Sequence, residues 1–175
     1  MTEWLSQLVA QLTQNEIVKY VIAFFLSMVP IIELRGAMPV ATTMGLDFFP
    51  ALIICVIGNM LPVPIIYFFA RKVLIWGADK RFIGKIFRFF LEKGEKAGRK
   101  LQKAAGRRGL FFALLLFVGI PIPGTGAWTG TLGASFLNMG FKSTVVAVCL
   151  GVIMAGIIVG VTYTGAFSLI KELLV

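Results

Sequence analysis

The chain has 175 residues, of which 58% are hydrophobic, and a mean hydropathy of +0.92. Soluble domains carry ~45–50% apolar residues, so an ordinary water-soluble domain is excluded and an all-α integral membrane protein of one domain is expected. Of 17 Lys and Arg, 13 lie between Arg71 and Arg108, a bias that reads as cytoplasmic topology and not as a nucleic-acid surface. Histidine is missing, and Cys55 and Cys149 both fall in apolar sequence, so no disulfide framework, metal site or cofactor is expected. The start, Met-Thr-Glu-Trp, lacks a basic stretch and a cleavage site, so no removable signal peptide is expected.

In chain order, Trp4, Leu5, Leu8, Val9 and Leu12 share one helical face, which predicts a short amphipathic interfacial helix over residues 1–15. Residues 17–32 are apolar but too few to span, since a crossing helix needs about 20. They run into Pro30, the cluster Glu33-Leu34-Arg35-Gly36 and Pro39, and the apolar sequence then resumes to Leu46. Two short arms around a polar tip predict a re-entrant hairpin, tolerated at membrane depth where protein or a wet cavity covers it. The alternative is one kinked spanning helix over 17–46. Asp47 reads as the cap of the next helix. Phe48–Trp76 is long enough to span with tilt, kinked around Gly58–Pro64, with Asn59 placed to satisfy carbonyls freed there.

Residues 77–109 form a basic cytoplasmic segment. Phe82, Ile83, Ile86, Phe87, Phe90 and Leu91 oppose Lys80, Arg81, Lys85, Arg88 and Lys93, the pattern of an interfacial helix on an anionic leaflet. The run Gly94–Lys100 after it is expected to be solvated. Residues 110–118 open a second arm, the tip follows at Gly119–Gly126, and a further arm reaches Leu137. Phe141–Leu169 is the second spanning segment; its Gly156-x-x-x-Gly160 permits close helix approach, within the chain or in a homodimer.

Shifting the sequence by 88 residues matches Ile32 with Ile120, Gly36 with Gly124, Thr43 with Thr131, Gly45 with Gly133 and Phe48 with Phe136. A hairpin does not cross the bilayer and the helix after it does. Two such units, 17–76 and 110–171, must then insert in opposite orientations, the inverted-repeat plan of secondary transporters. Both termini would lie outside.

The stretch Ile32-Glu-Leu-Arg-Gly-Ala-Met-Pro-Val-Ala41, with Pro121-Ile-Pro-Gly-Thr-Gly-Ala-Trp128 downstream, resembles the small multidrug export family, itself related to the DedA/VTT membrane proteins. That resemblance implies paired re-entrant hairpins, a prokaryotic inner membrane, and proton-coupled movement of a polyprenyl phosphate, phospholipid or drug. It marks Glu33, Arg35, Gly36 and Pro39 in the first tip and Pro121, Pro123, Gly124, Thr125, Gly126 and Trp128 in the second as substrate-binding or coupling residues. DedA-like proteins place arginines near the second hairpin; here the nearest are Arg107 and Arg108 at its mouth.

Arg35 offers a planar fork suited to phosphate or carboxylate, and Glu33 a carboxyl whose protonation could drive transport. The other roles open to these two are a structural ion pair or capping of the broken helix ends. Expected partners are therefore membrane lipids, an amphiphilic lipid-phosphate substrate and protons, with no nucleic acid. The competing readings are a cationic-drug exporter leaning on Glu33 and a non-transporting scaffold. An enzyme is not expected, as no nucleophile–base pair, metal cluster or nucleotide loop is visible.

Overall fold

The computed structural model describes residues 15–80, 84–104 and 109–174. The amphipathic helix expected over 1–15 lies outside these residues but for Asn15, as do Arg81, Phe82, Ile83, Arg107 and Arg108. Every regular element among the described residues is helical.

Helix α1 (Glu16–Met28) starts at Asn15, whose side-chain oxygen accepts from the Ile17 N–H at 3.0 Å. It stops ahead of Pro30, and the chain turns through Val29–Ile32 into α2 (Glu33–Thr43). That turn is strained: Ile31 has φ 81° and Glu33 φ 50°, a left-handed region that disfavours β-branched side chains. Ile31 is 83% exposed, so Ile31→Gly removes the clash and loses little packing. We expect it to raise stability by about 0.5–1 kcal/mol, the left-handed penalty less the added chain entropy of glycine. Thermal unfolding in detergent checks this, and a lowered midpoint would contradict it.

A corner links α2 to α3 (Phe48–Met60). Leu61 and Pro62 interrupt the helix where the kink was expected, followed by α4 (Val63–Ile65), a π-helical turn over Ile66–Ala70 and α5 (Arg71–Ala78). Phe48–Phe69, 22 residues, is long and apolar enough to cross a membrane. Asn59 does not do what was expected of it. Among the described residues no hydrogen bond runs from its amide to carbonyls freed at the kink, and its buried side-chain oxygen has no partner either. The π turn, which the sequence did not announce, is tied down from afar: Ser135 Oγ donates to Tyr67 O at 2.8 Å, and the Tyr67 hydroxyl donates to Met139 O.

Helix α6 (Gly84–Ala104) carries the basic segment. Of the run expected to be solvated from Gly94 onward, Lys96 and Arg99 are exposed, and Gly94 is buried where the helix turns it inward. The helix packs against α8 (Ala127–Phe136), and a Cβ on Gly94 would come within 2.6 Å of Leu132 and 2.8 Å of Phe136. Between them runs α7 (Gly109–Gly119), and α9 (Phe141–Leu174) closes the chain. Phe141–Tyr163, 23 residues, is the second segment able to cross a membrane. Helix α9 is the central post, packed on α2, α3 and α7 through Leu34, Met38, Leu114, Val118, Val148 and Val152, all essentially buried. A Cβ on Gly156 would strike Leu52 at 2.4 Å, and one on Gly160 Phe48 at 2.2 Å. The small-residue motif therefore serves packing within the chain.

The two halves share their element order, but in a register other than the 88-residue one. In the first corner Leu46 N–H bonds Ala41 O (3.1 Å) and Gly45 N–H bonds Thr42 O (3.0 Å); in the second, Met139 N–H bonds Ala134 O (3.0 Å) and Asn138 N–H bonds Ser135 O (3.2 Å). Both are Schellman closures, with Gly45 at φ 74° and Asn138 at φ 49°, so these corners superpose at an offset of 93 residues. That offset also pairs Pro30 with Pro123, Ala41 with Ala134, Phe48 with Phe141 and Gly58 with Gly151, and puts Ile31 (φ 81°) on Gly124 (φ 85°). The earlier register fails because it sets Gly45, in the corner, on Gly133, inside α8.

Candidate functional site

Each half breaks its helix at a tip, Val29–Ile32 in the first and Ile120–Gly126 in the second, and each break strands backbone groups that need partners. The partners come from the other half. Arg35 Nη2 donates to Val118 O (2.8 Å) and Ile120 O (3.3 Å), and Nη1 to Ile122 O (2.5 Å) and Thr125 Oγ1 (3.3 Å). A guanidinium thus holds the carbonyl-rich end of α7, where the helix dipole favours positive charge.

Trp128 answers in kind, since its indole Nε1–H donates to Met28 O, the last carbonyl of α1, at 3.2 Å. Arg35 and Trp128 stand 93 residues apart, so equivalent positions cap the first helix of the opposite half. Residue i of one unit meets residue j of the other and the reverse also holds, the signature of a two-fold contact.

Glu33 completes the junction. Its equivalent is Gly126, the N-cap of α8, which has no side chain with which to accept a hydrogen bond. The Glu33 carboxylate takes that place: Oε1 accepts from Trp128 N–H at 3.1 Å, and Oε2 lies 1.8 Å from where a Gly126 Cβ would be. Thr129 Oγ1 accepts from the Gly126 N–H at 3.0 Å, completing the cap. Glu33 and Arg35 do not pair with each other. The ion pair found among the described residues is Glu95–Arg99, one helical turn apart on α6 and solvent-exposed. Both charges are matched instead by helix ends, the carboxylate by a helix N-terminus and the guanidinium by a C-terminus.

Around this junction lies a cavity of about 920 Å³, within the size range of small-molecule sites. Glu33, Arg35, Gly36, Pro39, Pro121, Pro123, Gly124, Thr125, Gly126 and Trp128 all border it. Asp47 does not: it is exposed, at the N-cap position of α3, and makes no side-chain cap bond. Asn59 is buried within α3, away from the cavity wall. The sequence did not single out Lys93 of α6, Thr129 of α8 or Tyr163 of α9 as cavity residues, and all three line it. Nothing local marks Lys93 beyond its neighbour Gly94, whose missing side chain lets α6 approach α8.

Two long apolar helices packed around broken ones, with an internal cavity where the breaks meet, define an α-helical membrane protein. The family described as Putative small multi-drug export protein matches residues 33–158, which include Glu33, Arg35 and the whole second tip, and the chain belongs to that family. No curated protein and no solved structure matches it.

Proposed function

We propose that the protein exports amphiphilic molecules, held during passage in the cavity between two re-entrant tips. The observation that carries this is the reciprocal capping by Arg35 and Trp128 beside a mostly apolar cavity of about 920 Å³. The half-length arms α1–α2 and α7–α8 enter and leave by one face each, and only the helices after them cross. A two-fold contact between units with one crossing apiece sets its axis in the membrane plane, so the halves insert inverted. Residues 71–109 then face the cytoplasm, on the basic side, in a prokaryotic inner membrane. The cavity reaches Ile66 near the end of one spanning segment and Val159 and Tyr163 near the end of the other. With inverted halves those ends lie at opposite faces, which gives a carrier site access to both.

The DedA-like reading follows from this plan, with an amphiphilic anion such as a polyprenyl phosphate as cargo and a proton as drive. Glu33 is the coupling group, because neutralising it removes the negative charge that caps α8 and loosens the junction. A multidrug exporter of cations is the second reading, favoured by the family's description. The test is flux in proteoliposomes of a fluorescent acyl phosphate and of ethidium, with and without a pH gradient. We expect gradient-stimulated flux in wild type. Glu33→Gln, which keeps an acceptor for Trp128 N–H but cannot titrate, is expected to retain flux and lose the stimulation. No flux of either probe by folded protein would refute export, and equal stimulation of Glu33→Gln would refute Glu33 as the coupling group.

A further inference from the structure

The cavity wall carries three ionic side chains, and two are already engaged. Arg35 is spent on carbonyls of the second tip and Glu33 on the amide of Trp128. Among the neutral polar groups, Thr125 Oγ donates towards Ile120 O and Ile122 O, and Thr129 Oγ is shared between the Gly126 N–H and Gly124 O. Lys93 is different. It projects from the face of α6 that packs against α8, and its Nζ lies 3.7 Å from where a Cβ on Gly124 would be, against the second tip. It forms no salt bridge among the described residues, and its Nζ sits over the Phe89 ring, 5.3 Å from the centroid. Gly124, at φ 85°, has no side chain to fill the space in front of the ammonium.

We propose that Lys93 is the head-group residue of the cavity, and that the site takes amphiphiles with a single anionic head. This rests on the export reading above for its purpose, though not for its geometry. Lys93 is half-buried at the wall of a mostly apolar cavity with no carboxylate within ion-pair distance, so an anionic head entering the cavity finds an ammonium with no acid against it. The remaining wall (Ile32, Val73, Leu74, Phe87, Leu132 and Val159) is apolar and fits a hydrocarbon tail. Cation recognition is disfavoured for the same reason, as the one acid in the wall already accepts from a helix N-terminus. The anion therefore belongs to Lys93, which comes from the cytoplasmic basic segment, and not to Arg35. The second hairpin gains from α6 a positive charge that its own sequence does not supply.

The test is equilibrium binding to purified full-length protein in uncharged detergent, with dodecyl phosphate, dodecyltrimethylammonium and inorganic phosphate as probes. Wild type is expected to bind dodecyl phosphate best and inorganic phosphate at least tenfold more weakly. Lys93→Gln should weaken dodecyl phosphate about tenfold or more, the loss of one charge-assisted hydrogen bond. Lys93→Arg should retain it, and Lys93→Glu should reverse the preference towards dodecyltrimethylammonium. Unchanged helical content and elution volume in Lys93→Arg and Lys93→Gln keep folding out of the comparison. Unaltered binding in Lys93→Gln, or a wild type that prefers the cation, would overturn the assignment. Inorganic phosphate competing as strongly as dodecyl phosphate would overturn the amphiphile and leave a phosphate site. Binding that behaves as expected alongside absent vesicle flux would count against export alone, so the two ideas fail separately.

Discussion

Arg35→Ala is expected to destabilise the protein by roughly 1.5–3 kcal/mol, because it strips the donor from Val118 O and the charged donor from Ile120 O and Ile122 O, which keep only neutral donors from Ile122 N–H and Thr125. Val118 O, Ile120 O and Ile122 O belong to a broken helix end, and backbone at membrane depth must find partners within the protein. Arg35→Lys should recover only part of the loss, since an ammonium is a point donor and cannot span carbonyls that a planar fork bridges. Unfolding in detergent, followed by helical signal, measures this. If Arg35→Ala unfolds like wild type yet abolishes flux, Arg35 contacts cargo and the capping account fails. Loss of stability and of anion and cation flux together is what capping predicts, because the cavity wall itself is then disordered.

Gly126→Ala should be as damaging, and for a purely steric reason. Gly126 has φ −150°, an ordinary extended value, so no conformational privilege of glycine is at stake. The added methyl would instead fall 1.8 Å from Oε2 and 2.4 Å from Cδ of Glu33, so that the carboxylate or the tip must shift. Either the carboxylate leaves the Trp128 N–H or the second tip moves. Both outcomes open the junction and should cut flux at least tenfold, with a stability loss of about 2–3 kcal/mol, the scale of overpacking. The double variant Glu33→Ala/Gly126→Ala separates the causes. With the carboxylate gone, the alanine at 126 should cost little beyond Glu33→Ala alone, giving a coupling energy of about 1–3 kcal/mol in a double-mutant cycle. Additive losses would mean that the two residues do not share space.

Much of this site was legible in the sequence, and the reasons are local. Short apolar arms, Pro and Gly at the breaks, and two charges in otherwise uncharged sequence are all one-dimensional signals. The ten tip residues that the family resemblance marks all border one cavity. Partners were not legible. Glu33 and Arg35 sit two residues apart, so a pair between them was an open reading, yet each is matched by a helix end about 90 residues away. Helix ends have charge but no letter, and a search for opposite side-chain charges cannot see them. The register failed for a related reason. The second corner uses Asn138 where the first uses Gly45, because either residue can adopt positive φ, and matching identical glycines slid the alignment by five residues. Lys93 was hidden by its company, one basic residue among many on an amphipathic helix, drawn inward by the neighbouring Gly94.

The proposed export reading rests on an inverted insertion of the two halves, and its most direct test uses two equivalent, exposed positions. Asp47 and Gly140 both follow a Schellman corner and lie 93 residues apart. Asp47→Cys and Gly140→Cys, each with Cys55 and Cys149 changed to alanine, would be labelled with a membrane-impermeant maleimide in intact cells and in everted vesicles. The account predicts opposite sides, position 47 labelled from outside and position 140 from the cytoplasm. If α1–α2 and α7–α8 were instead kinked spanning helices, both cysteines would be labelled from the same side, and the re-entrant, inverted architecture would be wrong.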